Sequence, residues 1–271
     1  MQYIQINIST NNISSDELIA YLSDMGFDGF EELENEIAAF IQKDNFNESA
    51  FSTFIQQYQL SSTQNIIEEQ NWNAVWESNF QPITVDDFVG VRANFHEPIL
   101  NVEHEIVITP KMSFGTGHHA TTYMMMQLMN NIDFSGKAVA DFGTGTGLLA
   151  ILSEKLGAAS VLATDNDDWC IENATENGTI NACKNIQVKK VTDFNERIKF
   201  DVVLANINKN IILDNSLYLI ENTKNNGILL LSGLLQEDEN EILNIFKQHN
   251  FNHIKTLYSK QWIAIWLNKQ Q

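Results

Sequence analysis

The stretch Ala140-Asp141-Phe142-Gly143-Thr144-Gly145-Thr146-Gly147 closes a short apolar run on a carboxylate and follows it with three alternating glycines. Glycine tolerates backbone conformations closed to other residues and lacks a Cβ, so such a turn brings bare backbone close to a ligand. A helix-forming run, Leu148-Leu149-Ala150, comes directly after it. The dinucleotide fingerprint G-x-G-x-x-G would need its third glycine where Leu148 stands, whereas here it is Gly147. The loop therefore lacks the pattern that cradles a pyrophosphate. A glycine trio alone also fits a plain tight turn.

A second acid narrows the choice. Ser160-Val161-Leu162-Ala163-Thr164 is apolar and ends at Asp165, about 20 residues past the first glycine, where doubly wound nucleotide folds place an acid on ribose hydroxyls. Asp165, Asp167 and Asp168 are three carboxylates in four positions, so one can cap a helix over 167–181 while another meets a ribose. The glycine spacing, G-x-G-x-G after an acid, resembles the S-adenosylmethionine loop of class I methyltransferases.

The elements that must position these residues follow from periodicity. From about residue 118 helical and strand patterns alternate: helix 118–131, strand 137–141, helix 147–157, strand 160–164, helix 167–181, and strands 186–190 and 201–205. A helix over 211–221, strand 228–231, helix 238–248 and strands 251–259 and 262–267 complete the series. Alternating βα units imply a parallel sheet with helices on both faces. The last two strands are joined only by Lys260-Gln261, and so short a connection makes them antiparallel neighbours.

Residues 1–70 form a separate small unit. Tyr3 to Ile8 alternates as a strand, Ser14 and Glu17 make a capping box that opens a helix stopped by Gly26, and 27–33 with 37–41 read as a hairpin. A helix over 51–58 and a strand over 65–69 give the order βαββαβ, which is ferredoxin-like. Residues 71–82, with Trp72, Trp76, Phe80 and Pro82, read as a linking helix whose aromatics pack between domains. Strands 88–95 and 105–109 then lead into the larger unit, 83–271.

Composition excludes several classes. With 35 acids against 16 bases the net charge is −19, which argues against direct binding to a nucleic-acid backbone and suits a basic partner. Hydrophobic residues make up 44% of the chain, enough for buried cores, yet no run reaches the roughly 18 apolar residues of a membrane span. Cys170 and Cys183 lack metal or C-x-x-C spacing and read as buried, reduced thiols of a cytoplasmic protein. His96 and His104 have no metal-ligand spacing and read as surface residues, so no metal is expected.

Two further segments carry a family. Phe114-Gly115-Thr116-Gly117-His118-His119-Ala120-Thr121-Thr122 resembles the Ala-Phe-Gly-Thr-Gly-x-His-x-Thr-Thr signature of bacterial ribosomal protein L-eleven methyltransferases (the PrmA family). Leu204-Ala205-Asn206-Ile207, at a strand end, resembles that family's Ala-Asn-Ile-Leu. The chain departs from the family pattern at Lys111-Met112-Ser113, before the signature phenylalanine, and at Asn208. The resemblance covers essentially the whole chain and implies a Rossmann-like class I methyltransferase domain, with a mixed seven-stranded sheet, behind a ferredoxin-like substrate-recognition domain. It implies S-adenosylmethionine as methyl donor and trimethylation of lysine side chains and the N-terminal amine of a large-subunit ribosomal protein by a monomer.

Carried over by position, Thr122, Gly143, Asp165 and Asn206 are the donor-binding residues, with Asn206 also catalytic. Phe114, Thr116, His119, Thr121, Asp141, Gly145 and Gly147 complete the candidate set. Turn and capping chemistry is the alternative for Thr116 and Asn206, and a structural hydrogen bond the alternative to proton transfer for His119. A ribosome-associated factor that binds the donor without turnover is the competing function. A nicotinamide oxidoreductase is disfavoured by Leu148.

Overall fold

The computed structural model describes residues 3–33, 35–67, 80–111, 113–192, 194 and 198–271. Its backbone contacts divide the chain into two compact units, Met1–Asn79 and Phe80–Gln271. Most of the Trp-rich linker, including Trp72 and Trp76, lies outside the described residues. Phe80 is buried in the core of the second unit.

In the first unit β1 (Tyr3–Ser9), α1 (Ser15–Asp24), β2 (Gly29–Leu33), β3 (Glu36–Gln42), α2 (Glu48–Gln57) and β4 (Ser62–Ile67) follow in order. The sheet runs β2-β3-β1-β4, with β1 antiparallel to both neighbours, which is the ferredoxin-like arrangement. Alternation along β1 buries Ile4, Ile6 and Ile8 on one face. Leu18 and Leu22 of α1 and Phe51 and Phe54 of α2 complete that core. Ser14 caps α1 by accepting the Glu17 N–H while its hydroxyl donates to the Glu17 carboxylate.

The second unit opens with a small sheet of β5 (Ile83–Val85), β6 (Val89–Ala93) and β7 (His104–Ile108), in which β7 is a parallel edge strand. β5 was not anticipated, because three residues carry no readable period. The large sheet comprises β8 (Ala138–Phe142), β9 (Ser160–Asp165), β10 (Ile186–Lys190), β11 (Phe200–Asn206), β12 (Thr223–Leu235), β13 (Phe251–Ser259) and β14 (Trp262–Lys269). Its order is β10-β9-β8-β11-β12-β14-β13, parallel except that β14 runs antiparallel to both β12 and β13. The helices are α3 (Ala120–Met129), α4 (Leu148–Lys155), α5 (Asp168–Ile180), α6 (Lys209–Asp214), α7 (Ser216–Asn222) and α8 (Glu239–Lys247). This is the mixed α/β fold expected, with apolar clusters on both faces of the sheet.

Three expectations change. The helix over 211–221 is two helices, broken at Asn215, whose amide donates to the Ile211 carbonyl and accepts the Phe194 N–H. His96 and His104 are half-buried: His96 stacks on Phe80 and accepts the Ala93 N–H, and burial pushes the His104 imidazole below its usual range. Both cysteines are free and only half-buried, with burial pushing the Cys183 thiol up to about 11. No helix of the described residues is long and apolar enough to cross a membrane.

Because the two units have separate cores, damage to one should stay local. Ile6→Ala removes a fully buried side chain and should cost about 2–5 kcal/mol. Amide exchange read by mass spectrometry should quicken across 3–67 and stay at the wild-type rate across 120–269.

Candidate active site

The order of the large sheet reverses between β8 and β11: β9 and β10 extend one way, β12 to β14 the other. A crevice opens at such a switch point, beyond the carboxyl ends of the strands. A cavity of about 840 Å3 occupies it, lined by Phe114, His119, Thr121, Gly143, Gly145, Asp165, Asn206, Ile207 and Trp262 among others. Residues from five separate stretches of the chain therefore meet at one place.

The glycine loop forms one wall. Gly143 sits at φ +77°, and a Cβ there would fall 2.2 Å from Cγ2 of Ile207. Gly145 sits at φ +55°, and its Cβ would fall 2.2 Å from the Phe114 carbonyl oxygen. Both positions exclude any side chain, as the spacing predicts. The loop's N–H groups, however, are taken within the protein. Gly143 and Thr144 both donate to the Thr164 carbonyl, Gly145 to Asp165, Thr146 to the Phe114 carbonyl and Gly147 to the Thr144 carbonyl. The loop offers a ligand closeness, not donors.

Asp165 accounts for much of this order. One carboxylate oxygen accepts the Gly145 N–H at 2.9 Å; the other accepts Asn166 N–H at 2.9 Å and Asp167 N–H at 3.2 Å. A carboxylate has about four acceptor positions, so about one remains for a ligand. The cap of α5 is Asp167, which accepts the Trp169 N–H. Asp165 is thus free of that role.

Across the cavity, Asn206 ends β11 and is almost fully buried. Its Nδ2 donates to the Thr122 hydroxyl at 3.1 Å, which leaves Oδ1 buried without a partner among the described residues. His119 caps α3, its Nδ1 lying 2.7 Å from the Thr121 hydroxyl, and its ring packs edge-on to Phe114 and Trp262 with centroids 5.3 and 4.8 Å away.

The candidate residues thus fall into two groups. Phe114, His119, Thr121, Gly143, Gly145, Asp165 and Asn206 line the cavity. Thr122 stands behind Asn206, Thr116 bonds to His118, Gly147 caps α4, and Asp141 lies beneath the loop. Trp169, Ile207 and Trp262 line it too. Sequence reasoning missed them because an isolated aromatic or aliphatic residue reads as core. Among the described residues no group of three His, Cys, Asp or Glu side chains could hold a metal.

Burial pushes the Asp141 carboxyl up to about 7, against the hydrogen bond donated by the Thr144 hydroxyl and with further help from the Asp165 charge. Its folded value lies above the unfolded 3.8, so the native state holds the extra proton between these values. Stability from this group is complete below the unfolded value and is lost as pH rises through about 7. Urea unfolding at pH 5.5 and pH 8 should show a loss that Asp141→Asn reduces by on the order of 1–2 kcal/mol. Equal losses in the two proteins would remove Asp141 as the cause.

Comparison with known proteins places this architecture. The family model for ribosomal protein L11 methyltransferase (PrmA) matches residues 27–270. A ribosomal protein L11 methyltransferase from Porphyromonas gingivalis is 41% identical over 231 residues, covering 82% of this chain and 80% of that protein. One from Bacteroides fragilis is 32% identical over 276 residues, covering 98% and 99%. Among solved structures, the ribosomal protein L11 methylase from Lactobacillus delbrueckii subsp. bulgaricus superposes with a TM-score of 0.66 at 28% identity, covering 71% of this chain and 100% of that one. On these matches, of which the family model takes in β8, β11 and every residue that lines the cavity, the chain is a methyltransferase and belongs to the ribosomal protein L11 methyltransferase family.

Proposed function

We propose that the protein transfers methyl groups from S-adenosylmethionine to amines of ribosomal protein L11, trimethylating lysine side chains and the N-terminal amine in the cytoplasm. The observation that carries the reading is Asn206: a buried amide oxygen in the cavity wall, unpartnered, with its nitrogen already committed to Thr122. A buried carbonyl without a donor costs free energy, which a small rotation of the Asn206 amide toward the cavity and an incoming N–H would recover. An incoming amine has such a group.

The residues present fit the donor. Gly143 and Gly145, where a Cβ would strike Ile207 and the Phe114 carbonyl, let those residues close in around the cavity, and Asp165 keeps an acceptor position for a hydroxyl. The donor, when bound, supplies a methyl group activated on a sulfonium sulfur. Phe114, Ile207 and Trp262 give the cavity an apolar wall that sheds water and disfavours an ammonium, favouring the neutral amine that can attack. In the first two transfers Asn206 Oδ1, held in place by Thr122, would accept an N–H from that amine and set the direction of its lone pair. The neutral dimethylated amine of the third transfer, which has no N–H, would be oriented by the apolar wall. Proximity and orientation supply most of the rate in this scheme, so no nucleophilic triad is needed.

The small N-terminal unit carries none of the cavity residues. We assign it to binding the protein substrate away from the reacting amine.

Asn206→Ala should lower kcat by at least about tenfold while changing donor affinity far less, since the amide acts where the amine is oriented. Single-turnover transfer of labelled methyl, with calorimetry for the donor, separates the two. A loss confined to donor affinity would make Asn206 a binding residue only. A chain starting at Phe80 should still bind the donor and should lose at least about 90% of its kcat/KM for the intact ribosomal protein. Full-rate methylation by that truncated chain would refute the assignment of the first unit. Wild-type protein that binds the donor and transfers nothing to any amine would favour a non-catalytic factor instead.

A further inference from the structure

Helix α5 and its cap carry Asn173, Asn177 and Asn181, one turn apart, and each amide bonds to the backbone of β7 or of Thr109 just after it. Asn181 accepts the Val107 N–H at 3.0 Å and donates to the Val107 carbonyl at 2.6 Å. Asn177 accepts the Thr109 N–H at 2.7 Å, and Asn173 donates to the Thr109 carbonyl at 3.0 Å. β7 pairs on one side with β6. Val107 and Thr109, two residues apart, therefore turn their polar groups to the open edge. Four helical residues rise about 6 Å and two strand residues about 6.6 Å, so asparagines spaced by four stay in register with that edge. They stand where the peptide groups of another strand would be.

Asn177 makes one bond more. Its Nδ2 donates to the Thr146 carbonyl in the glycine loop at 2.8 Å. Thr146 in turn donates its N–H to the Phe114 carbonyl at 3.0 Å and its hydroxyl to the Gly115 carbonyl at 2.7 Å. One fully buried amide thus joins Thr109, where the chain leaves β7 for the signature loop, to the adjoining glycine loop. The bonds need one acceptor and one donor on a single short side chain, which is what an asparagine amide provides. Neither bond involves the cavity itself, and Asn177 does not line it.

We propose that Asn177 is a positioning residue for methyl transfer. It holds Thr109 and residues 113–117 in register with residues 143–147, so that Phe114 and the glycine loop keep the spacing the amine and donor require. This rests on the reading of the cavity given above. Asn181, one turn farther along, anchors β7 without touching either loop, and so serves as the structural control.

The test uses the full chain and three variants, all held well below their unfolding temperatures. Asn177→Ala and Asn181→Ala should lower the melting temperature alike. Only Asn177→Ala should speed amide exchange in 113–117 and 143–147, by at least about tenfold, and lower kcat by between about tenfold and a hundredfold. Asn181→Ala should leave both readings at the wild-type value. If Asn177→Ala does not fold, Asn177→Asp decides. Its carboxyl still accepts from Thr109 but donates to Thr146 only when protonated, so loop exchange relative to wild type should rise as pH rises. Wild-type exchange in both loops of Asn177→Ala, or a pH-independent ratio of one for Asn177→Asp, overturns the proposal. Wild-type protein that transfers no methyl group strikes the methyl-transfer reading instead, while the exchange result still decides whether Asn177 holds the loops.

Discussion

At residues 114–115 and 145–146 two loops touch backbone to backbone, and the cavity depends on that approach. The Phe114 carbonyl lies where a Cβ on residue 145 would be, and it accepts the Thr146 N–H. Only glycine at 145 allows it, and the left-handed φ there is compatible with little else. With the contact made, Phe114 is carried to the mouth and Asp165 can reach the Gly145 N–H. A larger residue at 145 would separate the loops and release Asp165 together.

The sheet supplies the other half of the constraint. β8 and β11 are parallel neighbours in register from Val139 and Val202 to Phe142 and Ala205, so Asn206 leaves its strand beside the start of the glycine loop. α3 packs against the same sheet with Thr121 and Thr122 buried, which puts a hydroxyl within reach of the Asn206 amide. The amide orientation is therefore set by a residue that never reaches the cavity. Thr122, read from its position in a motif as a donor contact, has a bond that explains its burial without one.

Strong periodicity made most elements legible: β10 and β13 match their expected bounds, and the βαββαβ order of the first unit follows from Ser14, Gly26 and the alternation of Ile4, Ile6 and Ile8. The glycine spacing and the acid at Asp165 were legible too, because backbone geometry demands those residue types. What escaped was whatever depends on a partner distant in sequence. The break at Asn215 needs Phe194, the aromatic wall needs Trp262 to arrive from the last strand, and Asn173 and Asn177 find their partner in Thr109, more than 60 residues back along the chain. Polar residues at helical spacing look the same in sequence whether they face water or a strand edge.

The cavity lining mixes the charged Lys111, Asp165 and Asp167 with neutral groups, and the proposed reaction brings the amine to a neutral one, Asn206. The chain carries −19, a field that draws cations, including a sulfonium and a protonated amine, toward any cleft. The same field stabilises the ammonium form and so opposes the proton loss that the proposed reaction requires. An ionised acid beside the amine would make matters worse. Burial pushes the Asp141 carboxyl up to about 7, Asp165 is engaged by three N–H donors, and in the proposed reaction the group that meets the amine is the Asn206 amide. In the proposed reaction attraction is left to the surface and orientation to the uncharged Asn206 amide, a division that would let one acidic protein gather cations and still present one of them as a neutral amine.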